Sequence, residues 1–450
     1  MKRISFITVV LVVFLFSCEK NIDKPASQEQ MTLAAKQNKD HGHLKQSKTF
    51  SSEVVVSWLN MQLQMVKVPM PAGTAGQATD RCQAYCGIAL YESVVPGMPA
   101  YQSLSGQLTD FPEMPSTEPG KAYHWAASAN AALAEMNRRL FPATAIANKT
   151  AMTNLENSFQ ATYSTETDDA TLQRSIAFGK EVATRVYNWA ATDGTTNINP
   201  PYVPPVGPGL WIPTSTSPIV NPYAYQLRLL VPGSADNTTL EPPPAFSTVP
   251  GSPFYNMVKE VYDARVNITP EQKALADYFK DVPGYTPGGT YLALMTQLLD
   301  ITKPTLDMAA LDYVKIGLAT RDASIVLFTN KYRFNLIRPV TYIRAYIDPS
   351  WSSYIPTPNH PEFPSGHSTS GGAILTMMSK IFGEDFHITL HTYDYLNYPS
   401  RSYTSFTQMS NDISDSRFYS GLHYRATLVK STEQGKKVAE NILSKVKFMK

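Results

Sequence analysis

Three short patterns rich in basic residues lie between Lys331 and His423 and supply side chains that could do chemistry. In chain order they read Lys331-x6-Arg338-Pro339, Pro364-Ser365-Gly366-His367 and Ser416-Arg417-x5-His423. Each alone has a structural interpretation, such as a surface lysine, a Ser-Gly turn or a buried histidine. Together they supply three cations, and arginine can bind two oxygens of an oxyanion at once. The combination predicts a pocket for a small tetrahedral oxyanion.

The second pattern adds donors that suit an anion. Ser365 offers a hydroxyl, and Gly366 offers a peptide N–H that a ligand can approach closely because glycine has no side chain. The apolar run after His367 predicts that this turn opens a helix, whose first N–H groups and dipole favour a bound anion. Because these donors and the three cations are enough to hold an anion, His367 and His423 are left to take part in the reaction.

The set K-x6-RP, PSGH and SR-x5-H resembles the motifs of the vanadium-dependent haloperoxidases and the related type 2 phosphatidic acid phosphatases, which share one anion pocket. Weaker similarity to bacterial haloperoxidase-like proteins extends upstream, through residues 207–214 and 258–279. The resemblance implies an all-α fold of packed helical bundles, of the haloperoxidase and acid phosphatase type.

In a haloperoxidase the bound anion is vanadate, and the resemblance gives each motif residue a role. His423 would be the single covalent protein ligand, through a neutral imidazole nitrogen. His367 would take and return protons as hydrogen peroxide reacts, and Lys331 would polarise the peroxide for attack by a halide. The product would be a hypohalous acid equivalent, with the metal acting as a Lewis acid. The expected cofactor-binding residues are Lys331, Arg338, Ser365, Gly366, His367, Arg417 and His423.

Two further residues are expected to shape the halide environment. Phe328 precedes Lys331 by three residues, so the two side chains are neighbours on a helix, and in the similar peroxidases this position is often Trp. His360 stands seven residues before His367, an offset at which bromoperoxidases of the family carry a second histidine. Alternatively, His360 is only a loop histidine in a Pro-rich turn. Iodide is the easiest halide to oxidise, bromide is plausible through His360, and chloride is the least favoured.

The same residues allow two other functions. In an exported acid phosphatase of the superfamily, His423 would be a nucleophile that forms a phosphohistidine, and His367 would protonate the leaving alcohol. A non-catalytic phosphate-binding lipoprotein would need neither histidine for chemistry. The long chain upstream of Lys331, the lack of several membrane spans and the presence of His360 favour the peroxidase.

The N-terminus predicts export. Met1-Lys2-Arg3 precedes an apolar run that ends at Ser17-Cys18, a pattern typical of a bacterial lipoprotein signal in which Cys18 is lipidated. An ordinary cleaved signal is the alternative. Residues 19–50 are polar and predict a flexible tether, which leaves 51–450 as a single helical catalytic domain. We therefore expect a membrane-anchored protein outside the cytoplasm.

Composition gives little sign of other partners. Lys and Arg total 39 against 37 Asp and Glu, a net charge of +2, so nothing indicates nucleic-acid binding, and no pattern indicates an oligomeric state. Cys82 and Cys86 share one face of a predicted helix and suit packing better than a disulfide. His124, His387 and His391 are interpreted as surface residues.

Apolar residues at spacings of three, four and seven predict helices along most of the chain. Residues 199–253 are rich in proline but contain aromatic side chains, and they predict an ordered segment that lies against the helices. The predicted helices are 53–68, 80–95, 122–140, 152–163, 170–192, 258–264, 271–280, 290–302, 306–332, 367–381, 406–419 and 427–446.

Overall fold

A computed structural model describes residues 45–71 and 78–450 of the chain. Cys18 and the predicted signal sequence lie outside the described residues. The predicted tether is described only from residue 45, where Ser47–Thr49 form a 3-10 turn and Phe50 is buried against the ring of His124. From this point most of the secondary structure is helical.

The helices agree with the predicted all-α class, and their bounds differ from prediction mainly at the ends. In chain order they are α1 Glu53–Val66, α2 Thr79–Val94, α3 Trp125–Leu140, α4 Ile146–Ser164, α5 Asp169–Ala190, α6 Pro253–Val266, α7 Pro270–Tyr278, α8 Gly289–Thr302, α9 Leu306–Phe334, α10 Pro339–Tyr346, α11 Gly366–Phe382, α12 Phe406–Tyr419 and α13 Arg425–Lys445.

Short strands form two antiparallel pairs among the described residues. β1 (Lys67–Val68) pairs with β2 (Gly284–Tyr285), and β3 (Ile388–Leu390) pairs with β4 (Arg401–Tyr403). No helix in the described ranges is long and apolar enough to cross a membrane.

Helix α9 runs through the centre of the main hydrophobic core and is buried on most of its circumference. It crosses α2 closely, because Gly87 and Gly317 face the backbone of the opposite helix. A smaller core, which includes Leu336, Ile337 and Tyr424, lies under the turn that joins α9 to α10. The two cores fix the direction in which the end of α9 points.

Helices α11 and α13 are held in direct backbone contact by two glycines. A Cβ on Gly372 of α11 would overlap the carbonyl oxygen of Thr432, and a Cβ on Gly435 of α13 would overlap the carbonyl oxygen of Thr369. The close approach brings the second and third motifs together, because α11 begins at the PSGH motif and α13 begins two residues after His423.

The Pro-rich segment is ordered against α9, as expected. The side-chain carboxylate of Asp322 on α9 accepts hydrogen bonds from the peptide nitrogens of Leu230 and Val231, at 2.7 and 3.0 Å. Trp211 is fully buried, and its peptide nitrogen donates to the carbonyl oxygen of Asn335. The segment is thus attached to α9 and to the turn that follows it.

Two interpretations of the sequence were wrong. Helix α10 was not predicted, although Pro339 occupies its first turn, where proline has a favourable φ angle and loses no needed hydrogen bond. His124 is buried rather than on the surface, because it caps α3 and its ring contacts Glu166 at 2.9 Å. Cys82 and Cys86 are buried free thiols, while His387 and His391 are exposed.

Candidate active site

The first motif is placed by the end of α9. Lys331 lies in the last turn of this helix. Asn335 follows the helix in a left-handed conformation, with a φ of 45°. Arg338 then adopts an extended conformation as the residue before α10, because Pro339 disfavours helical geometry at the preceding position. The reversal brings both cations to the same side of the chain.

The second motif opens α11. The Ser365 side chain caps the helix by accepting from the peptide nitrogen of Ser368, and the peptide nitrogen of Ser365 donates to the hydroxyl of Ser431 on α13 at 2.8 Å. Gly366 and His367 are the first two residues of the helix. A Cβ on Gly366 would have ordinary contact with Leu327 alone, and Gly366 lines the cavity described below.

The third motif joins α12 to α13. Arg417 lies in the last turn of α12, and His423 follows a tight turn in which Gly421 has a φ of 76°. One terminal nitrogen of Arg417 donates to the carbonyl oxygen of Phe279 at 2.9 Å. Its Nε is buried without a hydrogen-bond partner in the described structure, so this donor is left for a ligand.

Lys331 is fully buried, and its ammonium group contacts backbone rather than carboxylates. Nζ donates to the carbonyl oxygens of Pro361, Glu362 and Pro364, all in the segment that leads into the PSGH motif. Burial and the neighbouring Arg338 hold the pKa of Lys331 well below its usual value, although Glu362 acts in the opposite direction.

Arg338 contacts two histidines, His360 before the second motif and His423 at the end of the third. Its Nη1 lies 3.2 Å from Nε2 of His423 and donates to the carbonyl oxygen of Leu422, while its Nη2 lies 3.0 Å from Nδ1 of His360. Nε donates to the carbonyl oxygen of His360 at 2.9 Å. Burial lowers the pKa of Arg338 to about 10, so the group stays cationic at neutral pH.

His423 is oriented by a carboxylate that the sequence did not identify. Its Nδ1 lies 2.8 Å from Oε1 of Glu362, a fully buried residue. Burial, followed by the cations Arg338, Lys331 and Arg417, holds the pKa of His423 well below its usual value. The ring is therefore neutral near pH 7, with a proton on Nδ1 for Glu362 and a lone pair on Nε2.

His367 also has a carboxylate partner. Its Nε2 lies 3.2 Å from Oδ2 of Asp281, which follows α7 with a φ of 69°. Burial acts against ionisation of Asp281, but His367 and Arg417 outweigh it and lower the pKa of this carboxyl group. Both residues of the pair line the cavity of the site.

A cavity of about 520 Å³ opens onto these groups. The predicted site residues that line it are Phe328, His360, Gly366, His367, Arg417 and His423. Lys331, Arg338 and Ser365 are fully buried behind them. The rings of Phe328 and His360 meet edge to face with centroids 5.7 Å apart, and the remaining wall is largely apolar, including Phe279, Leu327 and Ile355.

Comparison with known proteins agrees with this architecture. Residues 313–449 match the family model of the VCPO second helical-bundle domain. The crystal structure of the first bacterial vanadium-dependent iodoperoxidase is 28% identical and superposes with a TM-score of 0.77, covering 89% of this chain and 97% of that one.

Residues 313–449 belong to the family of the vanadium haloperoxidases' second helical-bundle domain, and the chain has the fold of the bacterial vanadium haloperoxidases. A holo-type bacterial vanadium-dependent chloroperoxidase has the same fold at 19% identity, with a TM-score of 0.61 over 80% of this chain and 89% of that one. The apo-type chloroperoxidase gives 18% identity and a TM-score of 0.62, over 84% and 96%. No curated protein matches the sequence significantly.

Two residues of this haloperoxidase-family site were missed by sequence reasoning. Glu362 stands between His360 and the PSGH motif, and the presence of an acidic residue in that Pro-rich stretch was the feature that could have indicated it. Asp281 lies far upstream, in a short loop without periodic pattern, and no local feature marks it. Both carboxylates contact the predicted histidines only because of the tertiary fold.

Proposed function

We propose that the chain is a vanadate-dependent haloperoxidase that oxidises a halide with hydrogen peroxide. The observation that carries the proposal is the arrangement around His423, which lines a cavity together with Arg417 and Gly366. Its Nδ1–H is held by Glu362, and its Nε2 accepts from Nη1 of Arg338, so Nε2 is the nitrogen that keeps a lone pair. A neutral imidazole whose other nitrogen is held by a carboxylate is a typical protein ligand of a metal.

The residues present fit vanadate. The unpartnered Nε of Arg417 and the peptide N–H of Gly366, the first residue of α11, offer donors on the cavity that His423 lines, and Arg338 contacts His423. Within the described ranges no group of three or more His, Cys, Asp or Glu side chains could hold a metal ion. When bound, vanadate supplies a Lewis acid that activates peroxide without a change of oxidation state.

The chain's own residues then divide the remaining work. His423 would hold the cofactor, and Arg338, Arg417 and the first peptide groups of α11 would offset its charge. His367 lies on the cavity wall with Asp281 behind its Nε2, so it would accept and return the protons of hydrogen peroxide. Lys331 would contribute positive charge from its buried position.

The halide is proposed to be iodide, with bromide as the second choice. Iodide needs the weakest oxidant, and the 28% identical structure is described as that of an iodoperoxidase. His360 supports bromide, because Arg338 approaches its Nδ1 and leaves the ring on the cavity wall beside Phe328. Burial and the nearby Lys331 and Arg338 hold the pKa of His360 well below its usual value, so the ring is neutral.

The test is to give the purified protein hydrogen peroxide with iodide or bromide, with and without vanadate, and to measure p-nitrophenyl phosphate hydrolysis in parallel. Vanadate-dependent halide oxidation with negligible ester hydrolysis is expected. The opposite result would identify a phosphatase that uses the same pocket through a phosphohistidine at His423.

Variants sharpen this test. His423→Ala is expected to lose vanadate binding and turnover together, whereas His367→Ala is expected to bind vanadate and turn over slowly. His391→Ala provides the matched control, because His391 is an exposed histidine paired with Asp394. Normal turnover in His423→Ala would contradict the role proposed for this residue.

We further propose, from the sequence alone, that the protein is exported and anchored to a membrane by a lipid on Cys18. The basic start, the short apolar run and the Cys18 position support the proposal. Labelled palmitate should be incorporated by the native chain and not by Cys18→Ser, which should be released from the membrane fraction. Equal labelling of both would contradict the proposal.

A further inference from the structure

Glu362 links the three motifs of the site into one hydrogen-bonded unit. Its Oε1 receives three donors, which are Nδ1–H of His423 at 2.8 Å, the peptide nitrogen of Tyr424 at 3.1 Å and the hydroxyl of Thr427 at 2.6 Å. Its peptide nitrogen donates to the carbonyl oxygen of Leu336, in the turn between Lys331 and Arg338. Its own carbonyl oxygen accepts from Lys331.

The arrangement around the carboxylate is one-sided. All three donors converge on Oε1, while Oε2 is buried without a hydrogen-bond partner in the described structure. A fully buried carboxylate oxygen without a donor is costly, so packing alone does not account for a glutamate at this position. What Oε1 alone provides is a fixed acceptor for one nitrogen of His423.

We propose that Glu362 is a positioning residue that determines which nitrogen of His423 carries the proton, and thereby makes the site select vanadate over phosphate. The inference rests on the proposed function and deepens it. With the proton held on Nδ1, Nε2 keeps a lone pair on a residue that lines the cavity. In this structure the lone pair accepts from Nη1 of Arg338 at 3.2 Å, and in place of that hydrogen bond it can form a coordinate bond. Inorganic phosphate uses the cations and peptide donors of the same site and forms no such bond.

This difference gives a measurement that general damage to the site would not reproduce. Loss of the acceptor should weaken vanadate and leave phosphate nearly unchanged, whereas a distorted pocket should weaken both anions together. Partners that hold a metal-binding histidine typically account for about 10- to 100-fold in metal affinity. The ratio of the two dissociation constants therefore reports on His423 specifically.

The first experiment compares Glu362→Met with Glu362→Gln in the full-length protein. Dissociation constants for vanadate and for inorganic phosphate are measured by isothermal titration calorimetry. Met has a similar length and removes the oxygen acceptor, so vanadate affinity should fall by about 10- to 100-fold while phosphate affinity changes less than about threefold. Gln retains an oxygen acceptor and should restore most of the native ratio.

The matched control is Thr427→Val. This change removes another donor to the same Oε1 atom but leaves the contact of Glu362 with His423 in place. The vanadate-to-phosphate ratio of this variant should equal that of the native protein. A parallel loss of both anions in Glu362→Met, or an unchanged ratio, would overturn the proposal.

A second measurement requires neither Glu362→Met nor a bound anion. Nitrogen-15 chemical shifts of histidine-labelled native protein distinguish the two neutral tautomers, and His423→Gln assigns the resonance. We expect protonated Nδ1 and unprotonated Nε2 at His423. The opposite tautomer would overturn the proposal even if Glu362→Met failed to fold. If the ratio and the tautomer are as expected but no halide is oxidised, the proposed function alone fails.

Discussion

Replacing Asp281 by asparagine should slow catalysis without emptying the site. The change keeps the size of the side chain and removes the negative charge that lies 3.2 Å from Nε2 of His367. At this distance two opposite unit charges attract by about 5 kcal/mol at an effective dielectric constant of about 20. His367 and Asp281 are 24% and 17% exposed, so solvent reduces the measurable effect to about 1–3 kcal/mol.

That energy corresponds to a decrease in kcat of about 5- to 150-fold, because the pair stabilises the protonated form that His367 adopts during turnover. Asp281 does not contact His423, which is held by Glu362 instead. The vanadate dissociation constant should therefore change by less than about threefold. Steady-state halide oxidation at saturating vanadate, together with calorimetric titration of vanadate, measures the two quantities separately.

The chain offers a matched control for this change. Asp394 lies 2.7 Å from Nδ1 of His391 in an exposed pair, so Asp394→Asn makes the same chemical change outside the cavity and should leave kcat unaltered. A native kcat in Asp281→Asn would refute the reasoning. So would a loss of activity that disappears when more vanadate is added, because Asp281 would then act on cofactor binding.

Three other changes test the halide environment, a buried acid and a helix contact. His360→Phe should lower kcat/KM for bromide about tenfold more than for iodide, because the ring can no longer offer a hydrogen-bond donor to the halide; equal losses in a halide titration would argue against this role. Burial raises the pKa of Asp322 to about 6, so between about pH 4 and 6 the folded state keeps a proton that the unfolded chain has lost, and stability falls as pH rises. Relative to Asp322→Asn, the native protein should lose about 3 kcal/mol over that range in urea unfolding, and parallel curves would contradict the pKa shift. Gly435→Ala should lower the free energy of unfolding by about 1–3 kcal/mol or more, because its Cβ would overlap the carbonyl oxygen of Thr369, and an unchanged melting temperature would show that the helices can separate without cost.

Much of the fold could be predicted because helices are encoded locally. Apolar spacing located α12 to its exact ends and most other helices to within a few residues. Helix α10 was missed because Pro339 indicates a boundary, and a single sequence does not show whether the chain turns away or starts again. Similarly, His124 is buried through a partner, Glu166, that no nearby pattern indicates.

The site shows the same division between local and tertiary information. The motifs are recognisable from residue spacing alone, and the structure brings His367, Arg417 and His423 to one cavity with Arg338 buried behind it. The carboxylates that orient the histidines, Glu362 and Asp281, are not part of a recognisable sequence motif. Asp281 reaches His367 because α7 packs against α12, and Glu362 reaches His423 because the turn before α11 passes under α13. Their roles depend on helix packing, which the motifs do not specify.

The charges in the site also explain how three buried cations are held close together. Lys331, Arg338 and Arg417 are opposed by Glu362 and Asp281. Backbone carbonyl groups accept all three donors of Lys331 and some donors of each arginine. Carbonyl dipoles satisfy hydrogen bonds but cancel less charge than an anion does. Burial therefore lowers the pKa of all three groups, and a neighbouring cation lowers the pKa of Lys331 and Arg338 further. An oxyanion next to His423 would supply the missing negative charge. The backbone therefore keeps the site assembled, and the residual positive charge makes an anion its natural occupant.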